Sequence, residues 1–304
     1  MAALSEWAWI ESLNGWVVAA WVVETGLYAS TASAGLRTAL GRLPRWATAL
    51  ALTVSASLSY LLYAPATGLF EWKAFATLMV LAAALAGWYA LLRPGGWRDA
   101  GFLLLVAGVM LARAFKRIYP GLSEGPPMEV LGQLMWIRLG VLGAVVLRRA
   151  EGVGFGWWPS KREWRIGALH FAAFLPLGIV LGLVTGVVRG IELPGPAWKV
   201  AILAAANFAG MMWVVALSEE FFFRGLLQCW ASQWLRSAVW GWLVASLAFG
   251  AAHLPFRGFP NWRFALVATV AGLVYGRAYR AGQGIRAAMV AHALTNTVWR
   301  TLFG

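Results

Sequence analysis

Three short stretches combine residue types that can do chemistry: Ser218-Glu219-Glu220-Phe221-Phe222-Phe223-Arg224, Phe249-Gly250-Ala251-Ala252-His253 and His292-Ala293-Leu294-Thr295-Asn296. Each sits inside an apolar run. At membrane depth, carboxylates, a guanidinium and imidazoles are costly unless they pair or face water, so they default to a functional reading. Carboxylate and imidazole together can polarise a water for attack on a peptide bond. On an α-helix, residues four apart share a face while neighbours diverge by about 100°. Glu220 and Arg224 are therefore stacked partners, and Glu219 points elsewhere. That division suits a general base, Glu219, supported by a neutralised Glu220–Arg224 pair. The alternative is that all three charges cap a helix ending at Arg224-Gly225.

His253 closes an apolar helix one turn after Phe249 and just before Pro255. Taken alone, such a histidine reads as a satisfied core residue. His292 and Asn296, four apart, present two polar side chains on one face of the last helix. They can donate hydrogen bonds to a developing oxyanion, His292 can ligate a metal, or the pair can serve as helix–helix glue. His170 stands alone in an apolar run and is assigned no chemistry, as are Glu11, Glu24 and Arg138, charges in or near spans that can pair with one another or snorkel.

The elements that must position these residues are membrane helices. Of 304 residues, 61% are hydrophobic and 12% charged, with mean hydropathy +0.69. A soluble domain carries about twice that charged share. Twenty Trp and seven Tyr suit anchoring at both membrane interfaces. The net charge of +13 is spread in twos and threes between apolar runs, which argues for a positive-inside bias and anionic lipid and against nucleic acid. The single cysteine, Cys229, excludes an internal disulfide and a multi-thiolate metal site. Met1 to Ser12 lacks a basic start and a cleavage site, so no removed signal peptide is expected.

Ten windows are long enough to span as helix: 13–32, 46–66, 72–92, 99–115, 128–148, 167–188, 198–217, 238–255, 262–280 and 286–303. The expected fold is an all-α, polytopic integral membrane bundle of about eight to ten spans. Turn signals fall at Arg93-Pro94-Gly95-Gly96, Glu124-Gly125-Pro126-Pro127 and Leu193-Pro194-Gly195-Pro196. The polar stretch Glu151 to Arg165 divides an N-terminal helical region of unassigned role, 1–165, from the motif-bearing region, 166–304. The Lys and Arg bias between alternate connections favours a cytoplasmic 151–165 loop and both termini outside.

Glu-Glu-x-x-x-Arg, Phe-x-x-x-His and His-x-x-x-Asn in consecutive apolar segments, with Gly272-Leu273-Val274-Tyr275-Gly276 leading into the last, resemble the CAAX-protease and bacteriocin-processing family, also called the abortive-infection family. The resemblance covers about residues 197–300. It implies a membrane endopeptidase with a sunken site. In it Glu219 and His253 would activate water, His292 and Asn296 would bind the oxyanion, and Glu220 and Arg224 would hold the cavity. Substrates of the family type are membrane-associated, either prenylated CAAX tails or leader and bacteriocin-type peptides. A chain this rich in Ala, Gly, Arg and Trp points to a bacterial inner membrane and so to the latter. No His-Glu-x-x-His is present. Glu219, His253 and His292 remain the candidate ligands of a single divalent zinc, and metal-free water activation is drawn equally well; Asn296 beside His292 favours the metal-free form. A non-proteolytic scaffold or immunity factor, and an ion- or proton-coupled transporter, are the alternatives of other classes.

Overall fold

The computed structural model describes residues 14–122, 125–188, 190, 191, 193 and 195–303. The N-terminal stretch read for a signal peptide, with Glu11, and the turn residues Glu124 and Pro194 lie outside them. Among the described residues the chain is helical with no strand. We number the helices α1 (Gly15–Ser30), α2 (Ala34–Arg42), α3 (Arg45–Tyr63), α4 (Trp72–Leu91), α5 (Gly96–Leu111), α6 (Ala114–Ile118) and α7 (Glu129–Leu147) in the first half. The second half holds α8 (Lys161–Thr185), α9 (Ala197–Trp234), α10 (Ala238–Ala252), α11 (Trp262–Gly282) and α12 (Ile285–Leu302). Five of them, α3, α4, α7, α8 and α9, are long and apolar enough to cross a membrane by length and composition.

The all-α polytopic architecture is as expected, and each of the ten windows overlaps a helix, with 99–115 reaching from α5 into the start of α6. One element departs from expectation. The window 198–217 does not stop there, because α9 runs on through the Glu-Glu motif to Trp234. Two stretches of it, Met211–Ala216 and Phe221–Gln228, are wound as π-helix. The reading of Arg224-Gly225 as a helix end is thereby excluded: the motif lies mid-helix.

Two compact units divide the chain, Met1–Ala150 and Glu151–Gly304. In the first, the buried charges pair. Arg138 Nε donates to Glu24 Oε1 at 3.1 Å and Nη1 to Ser55 Oγ at 2.7 Å. Arg148 holds Asp99 with two hydrogen bonds, of 3.0 and 2.7 Å, while the Tyr89 hydroxyl donates to the same carboxylate at 2.8 Å. Glu24 and Arg138 thus realise the pairing option that the sequence left open.

In the second unit, α8 begins with a reciprocal cap: Ser160 Oγ accepts from Glu163 N, and Glu163 Oε2 accepts from Ser160 N. It ends at Gly186, whose φ of 70° is the left-handed conformation that glycine takes without penalty. Ser237 caps α10 and Asn261 caps α11. The 151–156 segment closes one end of this unit, where Tyr279 Oη donates to Gly152 O at 2.6 Å and Ile285 N to Val153 O at 3.0 Å. Gly154 and Gly284 meet there with no room for a side chain, since a Cβ on Gly154 would stand 2.4 Å from Gly284 Cα.

Large apolar side chains face outward along many of these helices. Trp16, Trp46, Trp72, Trp97, Trp198, Trp240 and Trp262 are all exposed, and each lies within the first three residues of its helix. Indole rings at helix ends are the expected anchors at a membrane–water interface.

Candidate active site

The two π-helical stretches of α9 flank Leu217–Glu220, and π turns inside α-helices are frequent at functional sites. Glu220 and Arg224 are both fully buried, and Arg224 Nε stands 3.1 Å from Glu220 Oε2. Neither atom makes a hydrogen bond, so the contact is ionic and off the N–H axis. The guanidinium finds further partners instead. Its Nη2 donates to Gly272 O at 3.2 Å. Its carbon lies 4.4 Å from the ring centre of Phe249 and 5.5 Å from that of Tyr275, a cation–π arrangement worth the more for being desolvated.

Glu220 also reaches α12. His292 Nδ1 and Glu220 Oε1 are 2.7 Å apart. A carboxylate accepts only, so Nδ1 carries the proton and Nε2 is the acceptor. Asn296 Nδ2 accordingly donates to Nε2 at 3.0 Å, which leaves its second N–H unspent. Tyr275 stacks on the His292 ring at 4.7 Å and 15°. Arg224, Glu220, His292 and Asn296 therefore form one chain of contacts that fixes the imidazole's tautomer and plane.

Glu219 faces the other way. Its side chain is 31% exposed, and its Oε2 stands 3.9 Å from His292 Nε2 with no hydrogen-bond partner of its own. His253, the residue that caps the C-terminus of α10, donates its Nδ1–H to Phe249 O at 2.8 Å. Its Nε2 lone pair is then the free end of the ring. Glu219, His253, His292 and Asn296, from three helices, line one cavity of about 440 Å³. Its walls include Phe174, Phe249, Phe264, Tyr275 and Trp299, and its exposed lining residues, Phe256, Arg257 and Arg300, lie at the end of the unit away from the 151–156 segment. His170 is not part of it: that ring bonds Ile166 O one turn back. Cys229 is near Glu151 O at the closed end and is likewise remote from the lining.

Sequence reasoning gave no role to Tyr275 or Gln228. Gln228 Nε2 donates to Gly276 O at 3.3 Å, one turn beyond the Arg224–Gly272 contact. The signal was present as spacing: Gln228 is four from Arg224, and Gly276 four from Gly272.

A metal needs several converging lone pairs. Among the described residues no group of three or more His, Cys, Asp or Glu is placed to hold one. Both nitrogens of His292 are already engaged, by Glu220 and Asn296. The set Glu219, His253 and His292 does not fit a zinc site, and no step is derived through one.

An all-helical membrane bundle with a buried carboxylate–imidazole site defines the class of protein. Residues 201–298 match the family model described as Rce1-like, type II CAAX prenyl endopeptidase, a similarity that falls on the stretch carrying the three motifs. No curated protein and no solved structure matches the chain.

Proposed function

We propose that the chain is an intramembrane endopeptidase that hydrolyses a peptide bond of a membrane-associated peptide or protein with a water activated by Glu219 and His253. One observation carries this reading: Glu219, His253, His292 and Asn296 converge on a single cavity inside an apolar bundle. Glu219, with an unpartnered oxygen, takes the proton of the water as it attacks the scissile carbonyl. The free Nε2 of His253 accepts the water's other proton as a hydrogen bond and can relay a proton to the leaving amine. The second N–H of Asn296 donates to the oxyanion. His292 holds that amide, and Glu220 with Arg224 holds His292. Apolar walls exclude bulk water, which strengthens each of these interactions.

The substrate proposed with this reading is a prenylated CAAX-type tail or a leader or bacteriocin-type peptide, presented from the bilayer of a bacterial inner membrane; the family match supports a membrane-associated substrate. The test compares purified wild type with Glu219→Ala and His253→Ala on a panel of both peptide types, with product ends read by mass spectrometry. Wild type is expected to cut at least one peptide at a single bond, and each substitution to lower kcat at least a hundredfold. A chelator arm is expected to leave the rate unchanged; inhibition reversed by added zinc would overturn the metal-free mechanism. If folded wild type and variants behave alike on every peptide, the chain is a scaffold of the same fold.

A further inference from the structure

The polar segment that opens the second unit runs along α9. Trp213 Nε1 donates to Trp157 O at 3.1 Å, and the Trp213 ring meets that of Trp158 edge-on with centres 5.0 Å apart. Phe155 packs edge-on against Phe221 at 5.7 Å. Val153 is buried, and a Cβ on Gly225 would stand 2.8 Å from its Cγ1. Cys229 Sγ lies 3.6 Å from Glu151 O. Residues 151, 153, 155 and 157 thus meet residues 229, 225, 221 and 213, so the segment runs antiparallel to the helix. Two residues of extended chain advance about 6.6 Å, and four helical residues about 6 Å. Segment and helix therefore stay in step over 151–155. The segment is also pinned to α11 and α12, by Tyr279 Oη on Gly152 O and Ile285 N on Val153 O.

These contacts fall where α9 is wound unusually. Trp213 belongs to the first π-helical stretch, Met211–Ala216, and Phe221 and Gly225 to the second, Phe221–Gln228. Glu219 and Glu220 lie between the two anchors. π winding is rare and takes up an extra residue per turn, so it needs contacts that hold it. Rewinding one π turn as α would shift the register by a residue and rotate the adjoining stretch by about 100°. That is the angle between Glu219, facing the cavity, and Glu220, sealed against Arg224 and His292. Glu219 precedes Phe221 by two residues, about 200° around the helix, so the segment bears on the face opposite the proposed base. None of residues 151–158 falls within 201–298, the stretch matched by the family model.

We propose that residues 151–158 form a strap that holds the two π turns of α9, through Trp213 and Phe221, and so keeps Glu219 turned into the candidate cavity. Trp213 and Phe155 are positioning residues: neither lines the cavity, and both act through Glu219. This rests on the reading of Glu219 as general base, but the direction in which that carboxylate faces can be read without turnover.

The test uses the full chain in phosphatidylcholine nanodiscs. One readout is kcat and KM on a farnesylated CAAX peptide and on a leader-type peptide. The other is labelling by dicyclohexylcarbodiimide, an apolar carboxyl reagent, with adducts on Glu219 and Glu220 counted by mass spectrometry. Wild type is expected to carry the adduct on Glu219. Trp213→Ala and Phe155→Ala are expected to lower kcat about tenfold to a hundredfold, the cost of misplacing a catalytic group by about 1 Å. KM should stay within about twofold, and the share of adduct on Glu219 should at least halve. Phe155→Leu, which keeps an apolar filler against Phe221, should restore most of both. Trp213→Phe keeps a ring and removes only the N–H, so it shows the same effects in smaller measure if Trp213→Ala does not fold. Trp242→Phe removes a hydrogen bond to Leu273 O between α10 and α11. It is the control for lost stability and should leave kcat and labelling at the wild-type level. Strap variants that label and turn over like wild type would overturn the proposal. So would a wild type whose Glu219 takes no adduct, a fall in kcat with the adduct still on Glu219, or the same losses in Trp242→Phe. If wild type cuts neither peptide while the strap variants still move the adduct, the strap stands and the endopeptidase reading falls.

Discussion

Adjacent carboxylates in α9 take opposite parts because one residue of offset turns one inward and the other into the cavity. Glu220 is sealed between Arg224 and His292, whereas Glu219 keeps an unpartnered oxygen and partial exposure. The two glutamines should therefore separate stability from turnover. Glu220→Gln removes the charge that compensates a fully buried guanidinium, and breaking a buried pair on one side costs about 3–5 kcal/mol. We expect Glu220→Gln to lower Tm sharply in detergent. Glu219→Gln should stay within about 0.5 kcal/mol of wild type, as substitutions outside such networks do, while abolishing peptide cleavage. Equal losses of Tm in both would refute this division. The pairing of Glu220 with Arg224 was legible from the sequence because four-residue spacing is a local rule. Its second partner was not, because His292 lies 72 residues away and no local pattern encodes that contact. Tyr275 went unassigned for the same reason: its ring matters only where α11 meets α12.

Helix α11 supports the site with backbone as well as with the Tyr275 ring. Its Gly272 and Gly276 carbonyls accept from Arg224 and Gln228 on successive turns of α9. Such close approach needs small residues, as is common where membrane helices pack. On α10 the tightest point is Gly250, where a Cβ would fall 2.7 Å from Ala265 O and closer still to Thr269 Oγ1. Gly250→Ala is expected to force α10 from α11 and cost about 1–3 kcal/mol, as overpacking does. It should also displace His253, three residues on, and so lower kcat. Gly210→Ala on α9, where nothing stands within 4 Å, is the control. It should be neutral or gain up to about 1 kcal/mol through the unfolded chain. Thermal melts of the two variants decide the point; a Gly250→Ala protein as stable as wild type would show that this contact yields. Apolar run length and turn residues placed the longer helices in the sequence, but not the short α2 and α6 or the continuation of α9 past residue 217. The π turns that carry the motif mid-helix leave no periodicity to read, since they shift register by single residues.

The whole chain keeps its proposed chemistry in one of two units. Every residue lining the candidate cavity falls between Phe174 and Arg300, inside Glu151–Gly304. The first unit nevertheless carries its own buried charges. Glu24 and Arg138 sit within an apolar bundle, and Glu24 Oε2 has no hydrogen-bond partner beyond that pair. A polar pair held at such cost is either a packing key for the first unit or a support for substrate binding, and the two roles differ in what they perturb. As a packing key, Arg138→Ala leaves the Glu24 carboxylate buried and uncompensated, a loss of about 3–5 kcal/mol. The expected outcome is then a markedly lower Tm, while at temperatures where the variant stays folded KM and kcat for a cleaved peptide remain within about twofold of wild type. The double variant Arg138→Met with Glu24→Leu should recover most of the lost Tm, because replacing both charges by apolar groups removes the desolvation penalty. If KM rises in Arg138→Ala at full folding and stays raised in the stabilised double variant, the first unit takes part in holding substrate. The confinement of the site to the second unit argues for the packing role, and the double variant decides it because it restores stability without restoring the charge.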